Sequence, residues 1–208
     1  MAAGDLTALL VARVRTLLDE ASAGFFSANE VYYALTDAQR EIIIFALSVY
    51  KAKIRVNPDE PLPEVLRNSI GTPATGTGTA TLPTGFLHAL SIYITASGIP
   101  VFIRSDGRGK AASKANTYLA SSATQPYCSI TATQIVFETS VAWTMEYLQL
   151  PASDLDATHD PALSAAAYNA MVYYAAGFLL AKDGDPLAQQ MSQQHLNNFM
   201  KELQTLSI

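Results

Sequence analysis

The sequence predicts an α+β protein: a helical bundle formed by N- and C-terminal helices, with a small antiparallel β subdomain inserted between them. Three observations lead there. Residues 27–56 combine a helix-capping motif with a long apolar stripe, residues 86–150 hold short runs rich in aromatic and β-branched side chains, and residues 160–206 return to helical spacing around an alanine-rich core.

Taken in order, Asp5–Glu20 puts Leu6, Leu10, Val14, Leu17 and Leu18 on one helical face, with Asp5 able to cap its start. Ser27 with Glu30 three residues on forms a capping box, and Phe26 and Val31 stand at the positions of a hydrophobic staple. Val31, Leu35, Ala38, Ile42, Phe45 and Val49 then step by four and three toward Val56, where Asn57-Pro58 stops the helix. A short helical piece is expected over Pro63–Ser69. Gly71–Thr84, almost entirely Gly, Thr, Ala and Pro, reads as an exposed loop or a weak edge strand. Strands are expected at Ala89–Thr95, Pro100–Arg104, Ser129–Thr131, Gln134–Glu138 and Ala142–Leu148, with a helix at Ala111–Ala120. Asp160-Pro161 has the form of a helix start, Asp as cap and Pro in the first turn, leading into Leu163–Lys182 with Ala166, Ala170, Tyr174 and Phe178 on one face. Lys182-Asp183-Gly184-Asp185-Pro186 closes that helix and opens the last one, whose stripe is Leu187, Met191, Leu196, Phe199, Leu203 and Leu206. The expected division is 1–70 helical, 71–158 β-rich and 159–208 a helical hairpin packed on the first part.

Composition narrows the function classes. Of 208 residues, 50% are apolar and 15% charged, which excludes a disordered chain and leaves few charges to keep a lone monomer's surface wet; buried subunit contacts are expected. Thirteen Lys and Arg against eighteen Asp and Glu leave a net charge of −5, the wrong sign for a protein whose task is to neutralise phosphates. One cysteine, Cys128, excludes an internal disulfide and fits a reducing compartment. Asp5 stands where a signal peptide would be basic, and the apolar runs Ile42–Leu47 and Val172–Ala181 fall short of the roughly 20 residues a membrane span requires, so a soluble chain is expected.

No catalytic set, metal site or cofactor site emerges. His88, His159 and His195 are far apart and lack partners at metal-ligand spacing. Asp154, Asp156 and Asp160 begin like a calcium loop, but Thr158, His159 and Ala165 stand where a ligand, a glycine and a glutamate are needed. Gly71 and Gly76-Thr77-Gly78 lack the Gly-Lys-Ser/Thr ending of a phosphate cradle, and Cys128 has no histidine near it in sequence. Glu20, Glu30 and Glu41 suit caps and ion pairs on helices. The single basic cluster in this reading is Arg104-Ser105-Asp106-Gly107-Arg108-Gly109-Lys110 with Lys114 beyond, either a solvated turn or a contact for an acidic surface.

Val14-Arg15-Thr16-Leu17-Leu18-Asp19-Glu20, Phe25-Phe26-Ser27-Ala28-Asn29-Glu30-Val31 and Ala34-Leu35-Thr36-Asp37-Ala38-Gln39-Arg40-Glu41-Ile42 together resemble the opening of tailed-bacteriophage head-to-tail adaptor (connector) proteins. Leu82-Pro83-Thr84-Gly85-Phe86-Leu87, Gln125-Pro126-Tyr127 and the stretch from Tyr173 to Asp185 are similar to that family's strand entries and C-terminal hairpin. The resemblance implies a structural virion protein without enzymatic activity, assembled in the host cytoplasm and placed at the head-tail junction. About a dozen copies would form a ring beneath the portal, bind the portal and a tail or nozzle protein, and surround DNA that passes without specific binding. The apolar chain end, Phe199, Leu203, Leu206 and Ile208, is the expected portal contact, and Arg104, Arg108 and Lys110 the expected contact with the next tail component. Two other readings compete: a tail-tube or nozzle-type connector, and a small-molecule or carbohydrate-binding module with a pocket near Tyr93, Phe102, Trp143 and Tyr147.

Overall fold

A computed structural model describes residues 4–20, 25–104, 121–122, 124–183 and 185–206. The expected helix at Ala111–Ala120 lies outside them. The chain divides into two compact units, Met1–Ser69 with Pro151–Ile208, and Ile70–Leu150. The fold is α+β, with helices from both chain ends and a sheet-forming middle.

In the helical unit, α1 spans Asp5–Leu17, α2 Ala28–Val56 and α3 Glu64–Arg67; a 3-10 turn at Ala165–Ala167 leads into α4, Tyr168–Leu180, and α5 is Pro186–Thr205. The capping box forms as its spacing demands: Glu30 N–H donates to Ser27 Oγ at 3.3 Å, and Ser27 N–H donates to Glu30 Oε2 at 2.9 Å. Asp185 likewise accepts from Ala188 N–H at 3.3 Å with Pro186 behind it, opening α5. Helix α4 is the hub, packed against α1, α2 and α5. Ala170, Met171, Val172, Ala175, Ala176, Gly177, Leu179 and Leu180 are all buried, so it is covered nearly all round and not along the single expected face, on which Ala166 is exposed.

The stripe expected on α5 shifts at its start. Leu187 and Met191 are exposed, and Ala188 and Ser192 are buried in their place, because small side chains let α5 approach α4 at Gly177. Ser192 Oγ donates to the Gly177 carbonyl at 2.8 Å within that contact.

The expected start of a helix at Asp160-Pro161 does not form; regular turns begin only at Ala165. The carboxylate is engaged elsewhere, with Asp160 Oδ1 accepting from the backbone N–H groups of Leu6 (3.0 Å) and Thr7 (3.3 Å). Asp160 thus caps α1, the role expected of Asp5, which lies inside the first turn behind Gly4. Asp160→Ala is expected to cost about 1–2 kcal/mol, with Asp160→Asn close to wild type, as read by thermal unfolding.

In the β unit, β1 (Ala74–Thr77), β7 (Ala142–Gln149) and β3 (Phe86–Ile94) form one sheet in that order. β2 (Ala80–Thr81), β6 (Gln134–Phe137), β5 (Tyr127–Ile130) and β4 (Phe102–Ile103) form the other. Pairing is antiparallel except between β4 and β5. The Gly/Thr-rich segment supplies β1, an edge strand of the first sheet, in register Ala74 to Met145 and Thr77 to Ala142. Both sheets feed one core: Ala89, Ile92 and Ile94 from β3, Cys128 from β5, Ile135 and Phe137 from β6, and Trp143, Met145 and Tyr147 from β7.

Candidate functional site

Several polar residues of α2 and of the segment after the β unit are used to join elements. In the segment 151–162, which clusters with the helical unit, Arg40 Nη2 donates to Asp154 Oδ1 at 2.6 Å, Leu155 N–H to the buried Thr36 Oγ1 at 2.9 Å, and Ala162 N–H to Gln39 Oε1 at 2.7 Å. Asp156 Oδ1 accepts from Thr158 N–H (2.6 Å), Thr158 Oγ1 (2.8 Å) and His159 N–H (3.0 Å). The Thr158 backbone and hydroxyl hydrogen bonds, with His159, hold that carboxyl well below the usual range. The three aspartates therefore diverge: one pairs with Arg40, one closes its own turn, and one caps α1. Among the described residues no group of three His, Cys, Asp or Glu side chains is placed to hold a metal ion.

His88 lies on β3, His159 in this segment and His195 on α5. His195 stacks on Tyr173 with centroids 6.1 Å apart, its Nδ1 is buried without a hydrogen bond, and burial pushes its pKa down, all of which suits a neutral packed ring. Cys128 is buried in the β core, and burial pushes its thiol up to about 12, far from a reactive thiolate.

The residues expected to form a ligand pocket do not line one wall. Trp143 is 1% exposed, stacks on Phe137 at 5.7 Å and donates its indole N–H to the Gly78 carbonyl at 2.9 Å; Tyr147 is also buried, whereas Phe102 is exposed on β4. Of the expected portal contacts, Phe199, Leu203 and Leu206 are buried within the chain, Leu203 at 2% exposure, and Ile208 lies outside the described residues. The buried three anchor α5, with Phe199 edge-on to Tyr174 at 5.1 Å, and offer no exposed contact face. Arg104 is engaged within the β unit: its guanidinium sits 3.6 Å from the Tyr127 ring centroid and 3.3 Å from Glu138 Oε1. Arg108 and Lys110 lie outside the described residues.

What the structure does expose is the outer face of α2. Burial on this helix ends at Leu47, and the following residues run on to Val56, 88% exposed, over roughly 13 Å of further helix. Lys51, Lys53 and Arg55 are a second basic cluster that the sequence reading missed, because alternate positions scatter around a helix. Lys53 pairs with Glu60 at 3.4 Å; Lys51 and Arg55 make no ion pair among the described residues. Tyr33 and Ile44 are exposed further back on the same helix. A dent of about 430 Å³ beside the end of α2 is lined by Val49, Ala52, Lys53, Val56, Asn57 and Glu60. No described helix is long and apolar enough to cross a membrane.

Exposed apolar side chains such as Tyr33, Ile44 and Val56 on one helix are the kind of surface through which proteins meet. No curated protein matches the sequence. A family model described as SU10 adaptor protein matches residues 5–207, helices and strands alike. With that match covering nearly the whole chain, the protein belongs to the SU10 adaptor protein family, structural proteins of the bacteriophage head-tail connector.

Proposed function

We propose that the protein forms a ring of about a dozen copies beneath the portal, joining capsid to tail and surrounding the passage through which DNA moves. The observation that carries this reading is the extent of the family match, residues 5–207, which takes in the β unit as well as the helices. Three properties support it. Exposed apolar side chains such as Tyr33, Ile44 and Val56 on α2 and Leu187 and Met200 on α5 are suited to burial between copies. A net charge of −5 disfavours lasting contact with phosphate, as a DNA passage requires. His195 and Cys128 are packed, and Asp154, Asp156 and Asp160 are taken up by an ion pair, a turn and a helix cap, which suits a protein that works by contact. The test is co-sedimentation of the purified chain with portal rings, followed by electron microscopy. A cyclic layer on one end of the portal is expected, and failure to bind the portal at any protein excess would refute the assignment.

With Phe199, Leu203 and Leu206 buried, a portal contact at the chain end would fall to the residues after Leu206, Ile208 among them, with the buried three as its support. The contact with the next tail component is assigned to the basic stretch at Arg108 and Lys110. Arg108→Ala with Lys110→Ala is expected to reduce tailed particles about tenfold or more while the ring still forms. Unchanged tail attachment in particle counts would move that contact elsewhere.

A further inference from the structure

The outer face of α2 carries a pattern that is complementary to itself when reversed. Asp37 and Lys51 each lie seven residues from Ile44, and Tyr33 and Arg55 each lie eleven from it. At about 100° per residue, all five fall within a sector of roughly 40°. Tyr33 and Ile44 are 62% and 47% exposed, Arg55 is exposed, and Lys51 and Asp37 are partly exposed. Asp37 meets Arg40 only loosely, at 3.7 Å, and neither Lys51 nor Arg55 has an ion-pair partner among the described residues.

Laid antiparallel against a second copy, this face places Ile44 on Ile44, Asp37 opposite Lys51 twice and Tyr33 opposite Arg55 twice. In parallel register it would set Asp37 on Asp37 and Lys51 on Lys51, which repel. The antiparallel arrangement also opposes the two helix dipoles, and the seven-residue spacing from Asp37 through Ile44 to Lys51 suits a left-handed helix seam.

We propose that the chain forms a two-fold dimer through the outer face of α2, with Ile44 on the axis. This goes beyond the ring: a cyclic ring joins two different patches of each copy, whereas a two-fold contact pairs one patch with itself. The dimer is therefore a state of the free protein that opens before ring closure. Its seam is about 33 Å long with one aliphatic residue at its centre, so the contact is small, weak and sensitive to salt.

Sedimentation of the full chain at low salt, at concentrations on the order of 100 µM, is expected to show a monomer–dimer equilibrium that salt shifts toward monomer. Asp37→Lys and Lys51→Asp should each weaken the dimer about tenfold or more, and the double variant should restore it. Oxidised Ile44→Cys should give a covalent dimer, since a residue on the axis faces its own copy and Cys128 is buried. Circular dichroism checks that each variant is folded. A wild-type chain that stays monomeric or forms rings directly, a double variant no better than its parents, or an Ile44→Cys chain that does not cross-link would overturn the proposal. Portal binding is read separately, so failure of the dimer and failure of the ring are distinguishable.

Discussion

Trp143→Ala is expected to destabilise the β unit by about 3–5 kcal/mol, enough to lower its melting temperature by something on the order of 10 °C or more. Trp143 lies on β7, the middle strand of its sheet, is 1% exposed, and stacks on Phe137, so the truncation opens a cavity between the two sheets. It also removes the indole donor from the Gly78 carbonyl. The cavity cannot close easily, because a Cβ at Gly76 would already stand 2.5 Å from the indole: the β1 backbone is shaped around that ring. Trp143 is the one tryptophan in the sequence, so its fluorescence follows the wild-type unit, and circular dichroism or calorimetry must follow the variant. A variant melting where the wild type does would show that this core does not depend on the indole.

Gly177→Val is expected to cost about 2–3 kcal/mol in the helical unit through overpacking. A Cβ at Gly177 would lie 3.0 Å from Leu196 Cγ and 3.2 Å from the Ser192 carbonyl oxygen. The leucine can rotate away, but the carbonyl belongs to the α5 backbone, so α5 must shift and loosen the hydrogen bond from Ser192 Oγ to Gly177. The shift would lift Phe199 and Leu203 from the positions that hold α5 in the unit. Thermal unfolding followed by far-UV circular dichroism measures the loss, and Gly177→Ala should fall between wild type and valine. If valine were neutral, the close approach of α4 and α5 would not be a determinant of stability.

How much was legible in the sequence depended on how far each signal reaches. Ser27-Glu30 and Asp185-Pro186 each act within one turn, and both formed as their spacing predicted. Asp160-Pro161 has the same local form, yet its carboxylate meets amides of α1 some 154 residues away, and no local pattern announces that. The strands were recognisable from β-branched and aromatic runs, but alternation does not name a partner, so the parallel pairing of β4 with β5 was not foreseen. At the candidate surfaces the apolar stripe of the last helix was visible as a stripe. That Phe199 and Leu203 would be its buried part, and Leu187 and Met191 its exposed part, depended on Gly177 facing Ser192. The basic residues near the end of α2 stood out only once burial was seen to stop at Leu47.

By itself the sequence determined the α+β class, the starts of α2 and α5, the strand-forming middle and the absence of any familiar catalytic spacing. These follow from side-chain chemistry acting over a few residues. The tertiary structure alone decided which polar group meets which partner and which apolar residues stay exposed, because those outcomes depend on contacts between segments far apart along the chain.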